Sequence, residues 1–115
     1  MRRGEVYNAR LDPVEGSEQA GTRPVVIVSR DAINQASNVV LAVPCTTRVA
    51  DRRIYPSQVV IQAPEGGLTS ASVALGEQAR AIAKTRVTQR RGSLTGETMA
   101  RLDKAIAIAL DLTLR

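Results

Sequence analysis

The chain has 115 residues, with 16 Lys and Arg against 11 Asp and Glu, a formal charge of +5 and no histidine. That length fits one domain, residues 1–115, burying roughly 65% of its unfolded surface around a single core. With imidazole absent, proton transfer near neutral pH falls to carboxylate, guanidinium and hydroxyl groups.

A first strand is expected over Gly4–Leu11, carried by Val6 and Tyr7, and Asp12-Pro13 stops it. A polar, glycine-flanked loop follows to Thr22, holding Glu18 and Arg23 five positions apart at the entrance to an apolar run. Val25–Val28 and Val39–Val43 are short and β-branched, which predicts strands buried on both faces. Between them Asp31–Ala36 has room for a turn or two of helix, with Asp31 as its cap. After Thr46-Thr47 the chain turns polar and basic through Arg48, Asp51, Arg52 and Arg53 to Tyr55-Pro56, a second exposed loop. Val59–Ile61 resumes strand character, Ala63–Gly67 is a turn, and Val73–Leu75 and Ala81-Ile82 read as further strands. In the last segment the period changes: Thr95 can cap, Glu97 suits the first turn, and Met99, Leu102, Ala105, Ile106, Ala109 and Leu110 recur at helical spacing. Ile108 and Leu112 widen that band. Short strands closed by one helix predict a mainly β fold, a small and partly open β-barrel plus a C-terminal helix.

The positive charge favours polyanionic partners, a nucleic acid or an acidic protein. Only Tyr7 and Tyr55 are aromatic, so a base-stacking platform is thin and a nucleic-acid grip would rest on charge and hydrogen bonds. Cys45 is the single cysteine, which rules out an internal disulfide and points to a reducing, cytoplasmic setting. No apolar run approaches the ~18–20 residues of a membrane span. Asp12, Glu15 and Glu18 share a loop, but their spacing matches no compact metal loop, so no metal and no cofactor is expected.

Cleaving RNA without metal requires an acceptor for the 2′-hydroxyl proton, preorganised donors for the phosphorane, and help for the departing 5′ oxygen. Arg23 suits the second task, because its planar fork matches phosphate oxygens and stays charged. Thr46 ends an apolar strand and can hold its hydroxyl against a phosphate oxygen. Glu18 is the nearest candidate base. Each has a plainer reading: Arg23 and Glu18 as a surface ion pair, Thr46 and Thr47 as good strand formers, Cys45 as a small buried hydrophobe, and Arg48–Arg53 as a solvated loop.

Gly16-Ser-Glu-Gln-Ala-Gly21, Arg23-Pro24, Val43-Pro44-Cys45-Thr46-Thr47 and Tyr55-Pro56 together resemble the MazF/PemK family of toxin endoribonucleases. Asp12-Pro13, Glu77-Gln78-Ala79-Arg80 and the C-terminal helix extend the resemblance over nearly the whole chain. It implies an SH3-like barrel with a C-terminal helix, a homodimer, and metal-independent cleavage of single-stranded RNA to 2′,3′-cyclic phosphate and 5′-hydroxyl ends. The family's catalytic arginine falls on Arg23, its threonine on Thr46, and a glutamate implicated in some members on Glu18. RNA contacts are implied at Ser17, Gln19, Thr47, Arg48, Tyr55, Gln78 and Arg80, and an acidic, MazE-like antitoxin is the implied protein partner. Asn8, Arg10 and Ser57 depart from many relatives, on the base-recognition surface rather than at Arg23 or Thr46. A gyrase-poison toxin of the same fold that acts by binding alone, or an RNA-binding regulator without turnover, are the rival readings.

Overall fold

The computed structural model describes residues 1–11, 21–47, 49–50 and 52–113. Among them the strands are β1 (Glu5–Arg10), β2 (Thr22–Ile27), β3 (Val39–Thr46), β4 (Gln58–Ile61), β5 (Ser72–Leu75), β6 (Arg80–Ala83) and β7 (Val87–Ser93). Helix α1 (Asp31–Ala36) links β2 to β3, and α2 (Gly96–Ala109) ends the fold. The strands pair antiparallel in the order β4-β5-β3-β2-β1-β7, and the sheet does not close on itself. It is the partly open barrel with a C-terminal helix that the sequence predicts. The eight-residue β3 is long enough to serve two partners on one side: Val39–Ala42 pair with β6, while Cys45 and Thr46 pair with β5.

Period-two alternation sorts the side chains into two buried groups. Val6, Val26, Val43, Cys45, Ala74 and Leu102 belong to one, under α2; Ala9, Val25, Ile27, Val40, Ala42 and Ile82 form the other, on the opposite face. Val25–Ile27 are buried on both faces as expected, but Val39 and Leu41 are 38% and 43% exposed. There Val39 and Leu41 lie on β3 between β6 on one side and the end of β2 on the other, on a face that is not fully covered.

Helix α2 begins as predicted. Thr95 Oγ1 accepts from the Thr98 backbone N–H at 3.2 Å, and Glu65 Oε2 in turn accepts from the Thr95 N–H at 3.0 Å. Its buried stripe is Thr98, Met99, Leu102, Ala105 and Ala107, whereas Ala109 and Leu110 are exposed. The predicted band is therefore right in its first half and displaced in its last turn, where Ile108, Ala109 and Leu110 are exposed. Asp31 does not cap α1: the capping position is Arg30, and Asp31 Oδ1 accepts instead from the Arg3 backbone N–H at 2.8 Å.

Strand β7 was not anticipated. Its Thr88, Gln89 and Arg90 are exposed and polar, so no apolar alternation marks it. It is held by its ladder to β1, interrupted by two register shifts, and by the Arg90–Glu5 ion pair at 2.7 Å. The 3₁₀ turn Glu65–Gly67 packs against this strand so closely that a Cβ at Gly67 would lie 2.0 Å from the Arg91 carbonyl oxygen.

Candidate functional site

The β2–β3 ladder runs from Ile27↔Ala42 through Val26↔Val43 to Val25↔Pro44. Proline brings no N–H, so this rung is a natural end to regular pairing. Two residues further along each strand stand Arg23 on β2 and Thr46 on β3. The period of two assigns both to the side of the sheet that carries Val25 and Pro44, and extending the register two residues past this last rung would bring them across from one another. Arg23 is opposite Ala9 of β1, and Thr46 is opposite Val73 of β5, so each belongs to a strand flanked on its other side. Thr46 is 2% exposed, while Arg23 is half-buried.

Beside Thr46, Cys45 is fully buried, and burial pushes its thiol up to about 12, with Arg91 opposing weakly. The thiol stays neutral at physiological pH, in keeping with a packing role. Thr47 is exposed immediately after Thr46. The loop residues Ser17, Glu18, Gln19 and Arg48 lie outside the described residues.

A second group forms around Tyr55 and Gln78. They line a cleft of about 630 Å³ with Arg52, Gln58, Glu77 and Ile108, between the 52–58 loop, the 3₁₀ turn Gly76–Gln78 and the end of α2. The loop is clamped onto the turn. Gln58 Oε1 accepts from the Tyr55 N–H at 3.2 Å, and Gln58 Nε2 donates to Glu77 Oε2 at 2.8 Å. Ser57 Oγ donates to the other Glu77 oxygen at 3.0 Å, and the Gly76 N–H donates to the Ser57 carbonyl at 2.9 Å. Glycine is required there, because a Cβ on residue 76 would sit 2.3 Å from that carbonyl oxygen. The Arg53 guanidinium carbon lies 5.5 Å from the Tyr55 ring centroid, a cation–π distance. Arg80, opposite Ala42 at the start of β6, borders a different feature: an apolar groove with Leu41, Ala81, Ile106, Leu110 and Leu112. The predicted contacts therefore fall into separate places. Arg52, Ser57, Gln58 and Glu77 were not singled out as a site, because nothing in their spacing announces a contact between segments 19 and 20 residues apart.

The fold defines a class of small, basic, partly open antiparallel barrels completed by a C-terminal helix. A family model described as PemK-like, MazF-like toxin of type II toxin–antitoxin system matches residues 2–110, and the chain belongs to that family. It is similar to Endoribonuclease MazF9 of Mycobacterium tuberculosis (strain ATCC 25618 / H37Rv), at 38% identity over 97% of this chain and 98% of that one. A solved mycobacterial endoribonuclease in complex with its cognate antitoxin superposes with a TM-score of 0.81 at 29% identity, covering 100% of this chain and 99% of the other. MazF from Deinococcus radiodurans shares the fold with a TM-score of 0.83 at 23% identity, over 97% of both chains.

Proposed function

We propose that this toxin is an endoribonuclease cutting single-stranded RNA without metal, residues 1–115 acting as one catalytic domain. The ribose 2′ oxygen forms a bond to the adjacent phosphorus, the phosphorus–O5′ bond breaks, and the ends left are a 2′,3′-cyclic phosphate and a 5′-hydroxyl. Glu18, or a water that it orients, takes the 2′-hydroxyl proton. Arg23 meets the charge that grows on the equatorial oxygens and on departing O5′, which takes its proton from solvent. Thr46 donates to a phosphate oxygen and fixes its position. What supports this reading is the β2–β3 register, which reaches Val25↔Pro44 and leaves Arg23 and Thr46 each two residues beyond that last rung. A guanidinium and a hydroxyl so fixed supply the charge stabilisation that a metal would otherwise bring.

The surroundings fit the same reading. The net charge of +5 suits RNA and also an acidic antitoxin that competes for the groove. Leu41, Leu110 and Leu112, exposed at 43%, 61% and 60% around the apolar groove, suit coverage by a second copy in a homodimer. Among the described residues no helix is long and apolar enough to cross a membrane, and a cytoplasmic site of action follows from the RNA target. The test is incubation of purified protein with single-stranded RNA in EDTA, followed by end analysis. Cleavage to cyclic-phosphate and 5′-hydroxyl ends is expected. Intact RNA together with gyrase inhibition would favour the binding-only toxin, and intact RNA with salt-dependent binding would favour the regulator.

A further inference from the structure

The excess positive charge of the chain sits in one stretch. Residues 78–96 hold five cations, Arg80, Lys84, Arg86, Arg90 and Arg91, and no acid, which leaves 11 of the 16 Lys and Arg against the 11 Asp and Glu. The stretch comprises β6, the 3₁₀ turn Lys84–Arg86 and β7. Arg90 pairs with Glu5, and Arg91 donates to Asn8 Oδ1 at 3.3 Å and to the Gly67 carbonyl at 3.1 Å. Arg80 borders the apolar groove. Lys84 and Arg86 sit on the turn itself, where a third cation joins them from outside the stretch. Arg10, exposed at the end of β1, donates from Nη2 to the Thr85 carbonyl at 3.2 Å. That bond uses one of five guanidinium donors and leaves the charge whole. Among the described residues no carboxylate forms an ion pair with Arg10 or Lys84.

This turn stands beside the candidate catalytic pair. Arg23 of β2 is opposite Ala9 of β1, and Ala9 is opposite Val87 of β7, the residue that follows Arg86. Two strand spacings, about 10 Å, therefore separate the backbone at Arg23 from the start of β7. The turn is held at both ends. The Lys84 N–H donates to the Asn38 carbonyl at 2.9 Å, and past Val87 the strand shifts register where Thr88 Oγ1 donates to the Asn8 carbonyl at 3.1 Å. Irregularities of this kind re-aim side chains at the edge of a sheet.

We propose that Arg10, Lys84 and Arg86 form a shelf that holds the RNA backbone by its phosphates, next to the scissile bond and on the β1 side of it. Contacts of this kind fix the position of the strand without reading its bases. An antitoxin segment is the poorer occupant. A bound peptide draws most of its affinity from apolar anchors, and none of the exposed large hydrophobics lies at Arg10, on the turn or on β7. The inference rests on the nuclease reading for the cut, but not for the binding.

The test measures binding of a single-stranded RNA with methylated 2′-hydroxyls, which cannot be cut, across a salt series. Single-turnover cleavage of the unmodified RNA runs beside it. Arg10→Ala and Lys84→Ala should each weaken binding about two- to fivefold at low salt, the scale of an exposed ion pair. Each should also reduce the slope of log affinity against log salt by about 0.7, the value for one phosphate contact on a single strand. The recognised motif should stay the same, and the rate at saturating RNA should change far less than the affinity. The double variant Arg10→Glu/Lys84→Glu should bind worst at low salt and approach wild type at high salt. Arg30→Ala removes an exposed cation beyond the other end of β2 and should leave slope and rate alone. Unchanged slopes in Arg10→Ala and Lys84→Ala, an equal loss in Arg30→Ala, a slower saturating rate with affinity intact, or weakened antitoxin binding alone would each overturn the inference. RNA that binds with the expected dependence on Arg10 and Lys84 but is never cut would leave the shelf standing and sink the nuclease reading.

Discussion

The Arg23/Thr46 pair and the Tyr55 cleft are built in opposite ways. The pair stands on β2 and β3, where Arg23 is held by its ladder to β1 and Thr46 by its ladder to β5. The cleft is assembled from a loop, a 3₁₀ turn and a helix end, and its shape depends on the clamp from Ser57 and Gln58 to Glu77 and on the absence of a side chain at Gly76. A reaction centre has to hold reacting atoms to fractions of an ångström, which strands do well. A recognition surface has to vary between relatives without loss of the fold, and loops allow that.

The largest expected effects come from breaking the frame that both regions share. Leu102 is fully buried under α2, so Leu102→Ala should cost about 2–5 kcal/mol and lower both stability and cleavage, as read by denaturant unfolding. Thr46→Val keeps the shape and removes the hydroxyl. It should leave the unfolding midpoint within a few degrees while reducing the cleavage rate by about 10²-fold, the scale of losing one transition-state donor. Gly76→Ala should do the reverse, displacing the 55–58 loop at a cost of about 1–3 kcal/mol and blurring the recognised motif more than the rate at permissive sites. Thr95→Ala removes the α2 cap and should cost about 1 kcal/mol without touching either region's chemistry.

The smallest effect is on acid stability. Burial pushes the Glu65 carboxyl up, but hydrogen bonds from the Thr95 N–H and the Thr98 and Thr95 side chains outweigh it and hold the group below the usual carboxylate range. Glu5 behaves alike: burial raises it, while Arg90, the Arg2 N–H and Tyr7 bring it below that range. Lowered folded-state values mean that the unfolded chain binds protons first on acidification. This stabilisation is whole above the ordinary carboxylate range and is lost as pH falls through the depressed values. Glu65→Gln should therefore lower the melting temperature at neutral pH and converge with wild type in strong acid.

What could be read in advance follows from how local each feature is. The β-branched runs of β2 and β3, the threonine cap and the first turns of α2 are written in neighbouring residues. The candidates Arg23 and Thr46 are local in the same way, since one opens and the other ends an apolar strand. Strand β7 was not, because Thr88 to Arg91 are polar and owe their conformation to β1. The last turn of α2 differs at Ala109 and Leu110, which are exposed, because periodicity marks an apolar stripe without saying how much of it is covered. The Arg52–Glu77 cleft was hidden for a third reason: it exists only through contacts between segments about twenty positions apart.

The account turns on Arg23 and Thr46 acting on one phosphodiester, and single-turnover cleavage in EDTA by Arg23→Ala, Thr46→Val and the double variant tests it most directly. Arg23→Ala should fold normally and lose about 10²–10³-fold or more in rate, with the double variant scarcely slower than the worse single one, as for groups that work as a unit. A folded Arg23→Ala protein cutting within about tenfold of wild type, or losses that simply multiply in the double variant, would contradict it.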